Sequence, residues 1–298
     1  MKIVLSGIYY PVAILRYFEA ALRRRTDVEL FTVGPYTGNK IPWNGGVVLP
    51  EKYARRPDLV IPGGVVSVAT VEAKLPWKPD LWLQIDAGFY LFGKPHCPNF
   101  FVGTDPHCLN YDKQRLLADK FFCMQTPYAK QGDVWLPYAY DPVWHAPRTP
   151  QDTQPIIYDA ALVGVKYAER VRWIHELRKR NHSVLFENGP SYDEARHLYL
   201  QAKIGLNWSS LKDLCARVFE VSALGLCPVI NKVPDLDTMG WVDGTHYLGF
   251  TDLDGAIRAF ELAIERHQDV SKQAQAFVQP HTWDARVGQI LQHYTSQG

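Results

Sequence analysis

The sequence predicts an α/β protein made of two halves in tandem. Three observations carry this. Short apolar runs that end in turn residues recur along the chain, as in parallel strands buried on both faces. Amphipathic stretches of helical period lie between them. A Pro-rich polar stretch at residues 141–157 interrupts the pattern, which then restarts.

In the first half, residues 2–5 read as a buried strand ended by Ser6-Gly7. An amphipathic helix follows over about 11–25, with Ile14, Phe18, Ala21 and Leu22 on one face and Pro11 in the first turn. Arg23-Arg24-Arg25 closes it as a solvated basic end. Residues 28–33 form the next strand, completing a βαβ unit. Further strands are expected at 58–61, 81–85, 99–103, 120–124 and 134–136. The stretch 141–157 reads as an interdomain linker. In the second half, strands are expected at 160–163, 183–186, 204–208 and 227–230. Helices are expected at 169–179, from near Tyr192 with Ser191 as its cap and Glu194 completing a capping box, at 217–224, and near 252–267 and 282–294.

At 298 residues the chain has room for two ordinary domains, placed at 1–146 and 147–298. A hydrophobic share of 47% and a charged share of 21% exclude disordered, collagenous and coiled-coil classes. A formal net charge of +1 argues against a non-specific nucleic-acid binder. No apolar run approaches the roughly 20 residues that span a bilayer. The opening residues are too soon interrupted for a signal peptide. Five cysteines at irregular spacings read as reduced thiols, so a cytoplasmic protein is expected.

Ligands of open α/β sheets bind beyond the carboxyl ends of the strands. Gly7, Asp86, Asp105, His107, Gly164, Gly189 and Ser209 all follow expected strands. Two halves facing across a cleft would bring those ends together, and helix N-termini entering the cleft would favour an anion such as a diphosphate. The most informative stretch is 216–230. Its helix begins with Arg217 and Glu220, three apart and so on one side of the first turn. Arg217 can neutralise a phosphate bidentately, and Glu220 can accept two hydrogen bonds from a ribose diol. A plain intrahelical Arg217–Glu220 pair before a Gly225 cap explains the same residues.

The pattern Arg217-x-Phe219-Glu220-x-x-Ala223-x-Gly225-x-x-Pro228-Val229-Ile230 resembles the donor-site helix and strand of retaining GT-B glycosyltransferases, most closely the CgeB-like group with its family-4-type C-terminal domain. Leu162-Val163-Gly164-x-Lys166-Tyr167-x-x-Arg170, the strand from Tyr199 to Asn207, and His281-Thr282-Trp283-x-x-Arg286 agree in order. The resemblance is strong over 160–294, weaker over 80–145 and poor over 1–80.

It implies two Rossmann-like domains, an acceptor-side one and then a donor-binding one, with the C-terminal helix packing back on the first. Glu220 would hold the nucleotide ribose. Arg217, with Lys166 and Arg170, would face the diphosphate beside Gly164, joined by amides near Val218 and Phe219. The loop Asn188-Gly189-Pro190 would lie near the base, and Ser209 beside the donor. The family's first motif Glu falls at Lys212, a departure; Asp213 can substitute for it. Asp105 and His107 would meet the donor sugar, with Arg217 as the third catalytic residue; an Asx-turn onto Pro106 is the plain alternative. Asp86 is an acceptor-side candidate that reads first as a turn residue. Gly7, also acceptor-side, serves equally as a tight turn. Trp43, Trp77, Trp82 and Trp208 can stack on sugars, although core packing is their common use.

The implied function is transfer of a sugar from a nucleoside diphosphate sugar, UDP-linked first, to a glycan, protein or other hydroxyl acceptor, retaining and metal-independent, with no cofactor. His96-Cys97 and His107-Cys108 match no common zinc spacing, and Asp235-Leu236-Asp237 lies beyond the donor strand. Three alternatives stay open: a nucleotide-sugar epimerase, a non-catalytic nucleotide or glycan binder, and a phage-type DNA-modifying glycosyltransferase.

Overall fold

The computed structural model describes residues 1–41, 47–189 and 191–296; Trp43 and Pro190 lie outside them. The chain divides into two compact units, Met1–Pro137 with Trp283–Gly298, and Tyr138–Thr282.

Among the described residues the first unit holds seven strands: β1 (Lys2–Gly7), β2 (Glu29–Gly34), β3 (Leu59–Val60), β4 (Leu81–Asp86), β5 (Asn99–Gly103), β6 (Lys120–Cys123) and β7 (Val134–Trp135). Their order is β3-β2-β1-β4-β5-β6-β7, and every pairing is parallel. The order reverses between β1 and β4. Helices α1 (Leu15–Arg23), α2 (Val68–Glu72) and α3 (Asp112–Leu117) belong to this unit. Helix α1 starts four residues after Pro11, which sits instead in a turn where Ala13 N donates to Tyr10 O at 3.1 Å. The basic end of α1 is ion-paired rather than merely solvated: Arg23 meets Glu19, Arg24 meets Asp284 and Arg25 meets Asp27.

The second unit holds β8 (Tyr158–Val163), β9 (Val184–Glu187), β10 (Ala202–Asn207), β11 (Cys227–Asn231) and β12 (Leu248–Phe250), in the order β12-β11-β10-β8-β9, again all parallel. Its helices are α4 (Ala168–Lys179), α5 (Asp193–Tyr199), α6 (Ala216–Ala223), α7 (Pro234–Met239) and α8 (Leu253–Val278). Strand β8 shows why apolar runs replace alternation here. Ala160 and Leu162 pack with Trp173, Ile174 and Leu177 of α4 and Phe260 of α8. Ala161 and Val163 face the other way, toward Tyr199 and Val221.

Two expectations change. Helix α8 runs on to Val278, past the expected end near 267, because Val270, Ala274 and Val278, spaced by four, continue a fully buried stripe. The stretch 141–157 is pinned rather than free, so the units divide at Pro137/Tyr138 instead of 146/147. Arg196 of α5 grips Asp152 through two bonds of 2.7 Å and donates to Ala146 O at 2.8 Å. Arg148 donates to Leu200 O.

The final helix, α9 (Trp283–Thr295), belongs to the first unit. Trp283 is fully buried against Tyr17 and Phe18, with ring centroids at 5.3 and 5.1 Å.

Glycine fixes the seat of α6. A Cβ at Gly205 of β10 would lie 2.6 Å from Val221 Cβ, so helix and strand touch directly. Gly205→Ala should therefore destabilise the protein by about 1–3 kcal/mol through overpacking. Chemical denaturation of wild type and variant checks this.

Candidate functional site

The order of the second sheet reverses between β8 and β10, and a crevice at such a point is where α/β sheets bind ligands. One side chain spans it. Arg217 of α6 donates from Nε to Val163 O, at the end of β8, at 2.9 Å. It donates from Nη1 to Asn207 Oδ1, at the end of β10, at 2.8 Å. A second guanidinium joins it: Arg170 of α4 donates from Nε to Trp208 O at 2.8 Å and from Nη1 to Val165 O at 3.0 Å. Between them lies Gly164, at φ 149°, where a Cβ would sit 2.2 Å from Arg217 Nη2 and 3.6 Å from Arg170 Nη1. The glycine thus supplies both the conformation and the space.

All these acceptors are neutral oxygens. Among the described residues, no carboxylate lies within ion-pair distance of either arginine. Burial pulls the Arg170 pKa down to about 10, and the Arg217 charge adds to this. Burial opposes the Arg217 charge too, yet Tyr199, Cys215 and Glu220 together hold its pKa above the ordinary guanidinium value. Two adjacent cations, neither ion-paired to a carboxylate among the described residues, form a receptor for an anion.

Glu220, one turn along α6, is half-buried and does not close on Arg217. Its Oε1 lies 3.6 Å from Nε2 of His145, in the stretch read as a linker. The Val218 amide is taken by Cys215 O at 3.2 Å, and Phe219 is fully buried beside Trp241 and His281. The Phe219 ring therefore serves the core.

The surrounding loops are more mixed. Lys166 is exposed and lies over the Phe186 ring at 5.3 Å. Asn188 is exposed, and Gly189 has φ 120°. Ser191 does not cap α5; its hydroxyl donates to Gly189 O, and the N-cap position belongs to Tyr192 at φ 52°. Lys212 is exposed at φ 58°. Ser209 is buried as a staple: its N donates to Asn231 Oδ1 at 2.7 Å, and its hydroxyl bonds the Asp213 carboxylate. Asp213 is thus already engaged.

In the first unit, Gly7 is required by packing, since a Cβ would lie 2.5 Å from both Ile85 O and Leu15 Cδ1. Asp86 is fully buried and makes the turn: Oδ1 accepts from Gly88 N and Oδ2 from Gln114 Nε2, each at 2.7 Å. Burial raises its pKa to about 6 despite those bonds. Asp105 accepts from Thr104 Oγ1 at 2.6 Å. His107 contacts Gln125 through Nδ1 and lines a cleft of about 350 Å³ with Leu109, Tyr111, Arg115 and Tyr128. The other His-Cys pair is occupied differently, His96 meeting Glu72 at 2.8 Å. Among the described residues no group of three His, Cys, Asp or Glu is placed to hold a metal ion. Trp82 is core, donating to Ser6 Oγ, and Trp208 packs on Trp173 and Phe250. Trp77 packs edge-on against Phe31.

Sequence reasoning missed His145 and the clamping role of Asn207. Asn207 closes a motif already quoted. His145 follows Asp141-Pro142, whose Asp makes a tight turn that the Pro-rich composition obscured.

Residues 152–292 match the model of a family described as glycosyl transferase-like. No curated protein matches the sequence. Similar solved structures include sucrose-phosphate synthase from Thermosynechococcus elongatus, 13% identical, with a TM-score of 0.64 over 100% of this chain and 99% of that one. Another is Anabaena HepE in complex with UDP and glucose, 11% identical, with a TM-score of 0.65 and 100% of both chains covered. A third is an alpha-glucosyltransferase in complex with UDP and a 13-mer DNA, 10% identical, with a TM-score of 0.64 and 99% of both covered. Among the described residues no helix is long and apolar enough to cross a membrane.

Asp86 supplies a pH test. Its folded pKa lies above the unfolded value, so its contribution to stability is full below about pH 4 and is lost as pH rises through 6. The loss amounts to about 3 kcal/mol. Unfolding free energies of wild type and Asp86→Asn, measured from pH 4 to 8, should differ by a wild-type decline over that window.

Proposed function

We propose, for a chain whose residues 152–292 match the model of a glycosyl transferase-like family and whose two units have the fold of GT-B glycosyltransferase structures, that it transfers a sugar from a UDP-sugar to an acceptor hydroxyl. The observation that carries this is the pair of guanidinium groups over Gly164, at the reversal of the second sheet. A diphosphate has the charge and the oxygen spacing to join them.

In the reaction the bond from the sugar C1 to the diphosphate oxygen breaks, and the acceptor oxygen bonds C1. Arg170 and Arg217 offset the charge on the leaving diphosphate, which gives them the role a divalent ion would otherwise take. A diphosphate oxygen takes the acceptor proton, and the product retains configuration. Glu220 accepts from the ribose, Lys166 and Lys212 add positive charge at the rim, and the loop at Asn188 and Gly189 meets the base. The first unit serves the acceptor through the strand ends that carry Asp105 and His107, with Gly7 and Asp86 as their scaffold. The motif 217–230 and the His281-Thr282-Trp283 ending support a CgeB-like member. Five free cysteines fit work in the cytoplasm.

A thermal-shift panel of UDP, GDP, dTDP and ADP with EDTA present tests the reading. A ligand at 100 times its Kd stabilises by about 2.7 kcal/mol, which is several degrees here. UDP should give that shift, and Arg217→Ala or Arg170→Ala should abolish it. No shift with any of the four, from folded protein and with Mg²⁺ as well as with EDTA, overturns the donor site. A shift that requires Mg²⁺ overturns metal independence alone.

A further inference from the structure

We infer that Asn207 is a ligand-binding residue whose side-chain amide donates a hydrogen bond to a diphosphate oxygen of the nucleotide, alongside Arg217. The inference rests on the donor site proposed above.

Asn207 ends the run Ile204-Gly205-Leu206-Asn207, and strand alternation fixes the face it lies on. Ile204 and Leu206 enter the cluster with Trp173 and Phe260. Gly205 meets Val221 of α6, so Asn207 shares the α6 face. It is 2% exposed. Burying an amide is costly unless its polar atoms are matched, and an apolar residue there would avoid the cost. Only half of this amide is matched. Oδ1 accepts from Arg217 Nη1 at 2.8 Å and from Cys215 Sγ at 3.5 Å, whereas Nδ2 has no partner among the described residues. Among those residues the side-chain atoms that are both sealed from solvent and unmatched belong to Tyr9, Glu19 and four tryptophans. Nδ2 of Asn207 is not one of them, so it borders open space.

The amide cannot be reversed. A guanidinium only donates, so the atom 2.8 Å from Arg217 Nη1 is the oxygen, and the nitrogen is turned away from it. The place is the reversal of the second sheet. Asn207 ends β10 beside β8, whose Val163 O takes Arg217 Nε at 2.9 Å. A group that only donates, set next to two guanidinium groups, selects an acceptor that carries negative charge. Donation from Arg217 into Oδ1 polarises the amide and strengthens Nδ2 as a donor. A neutral amide also leaves the Arg217 charge undiminished, where a carboxylate in its place would pair with it and repel the ligand. A diphosphate offers enough oxygens for Arg170, Arg217 and Asn207 each to take one.

NMR and isothermal titration with UDP test this on the full chain. Selective ¹⁵N-asparagine labelling displays the Nδ2 protons, and Asn207→Asp identifies those of Asn207 by their loss. With UDP bound the wild-type signal should move downfield and exchange more slowly with water. UDP affinity of Asn207→Asp should fall at least about tenfold, as for the loss of a hydrogen bond to a charged group. A wild-type signal that stays in place while UDP binds makes Asn207 a clamp for Arg217 alone, which overturns the inference and leaves the donor site standing. Unchanged UDP affinity in Asn207→Asp overturns it too. A signal that moves with UDP-glucose and not with UDP puts the amide on the sugar, and the inference falls. Wild type that binds no UDP, with EDTA or with Mg²⁺, overturns both the inference and the donor site. Should Asn207→Asp fail to fold, through-space contacts to the Arg217 and Cys215 side chains assign the signal in wild type, and the same titration decides.

Discussion

The second unit depends on holding two like charges side by side with no ion-paired carboxylate on either among the described residues. Arg170 and Arg217 repel, and burial costs each of them solvation. Carbonyls at the strand ends compensate. Val163 O and Trp208 O lie where the sheet stops and their ladder partners are missing, and the guanidinium groups satisfy them. The arrangement holds only if α6 lies close enough for Arg217 to reach both β8 and β10. Gly205 gives that closeness, and Gly164 clears the space above the turn. Two glycines and two arginines, on three elements and the turn after β8, thus act as one device.

The same unit recruits a stretch that looks like a connector. Residues from Tyr138 onward have the proline and polar content of a linker, but Arg196 fixes them through a two-pronged bond to Asp152, the strongest geometry available to a guanidinium. Ordering this stretch costs backbone entropy, and the gain is that His145 is carried to the flank of α6.

The sequence made the architecture legible because both sheets are parallel and covered on two faces, so each strand is an unbroken apolar run ended by a turn. Strand β12, with three residues, gave too short a run to see, and the far end of α8 was lost because Ala274 is a weak hydrophobic signal. Arg217 and Glu220 were readable from their spacing on a helix start. Their partners were not: Arg217 reaches Val163 and Asn207, and Glu220 reaches His145, all set by tertiary packing rather than by neighbours in the chain. Asp86, Ser209 and Val218 show a local partner that the sequence did not reveal. Each follows a strand or opens a helix, and each makes a bond within its own loop or to a neighbouring strand.

Helix α9 gives the first unit an unusual dependence on the order of synthesis. Its strands and α1–α3 are complete by Pro137, but the ring that covers Tyr17 and Phe18 arrives with Trp283, after the whole second unit has been made. During translation that apolar face stays open for the time taken to add about 145 residues, or some 7–30 s at ordinary ribosome speeds. The unit that begins first therefore closes only after the second has been made.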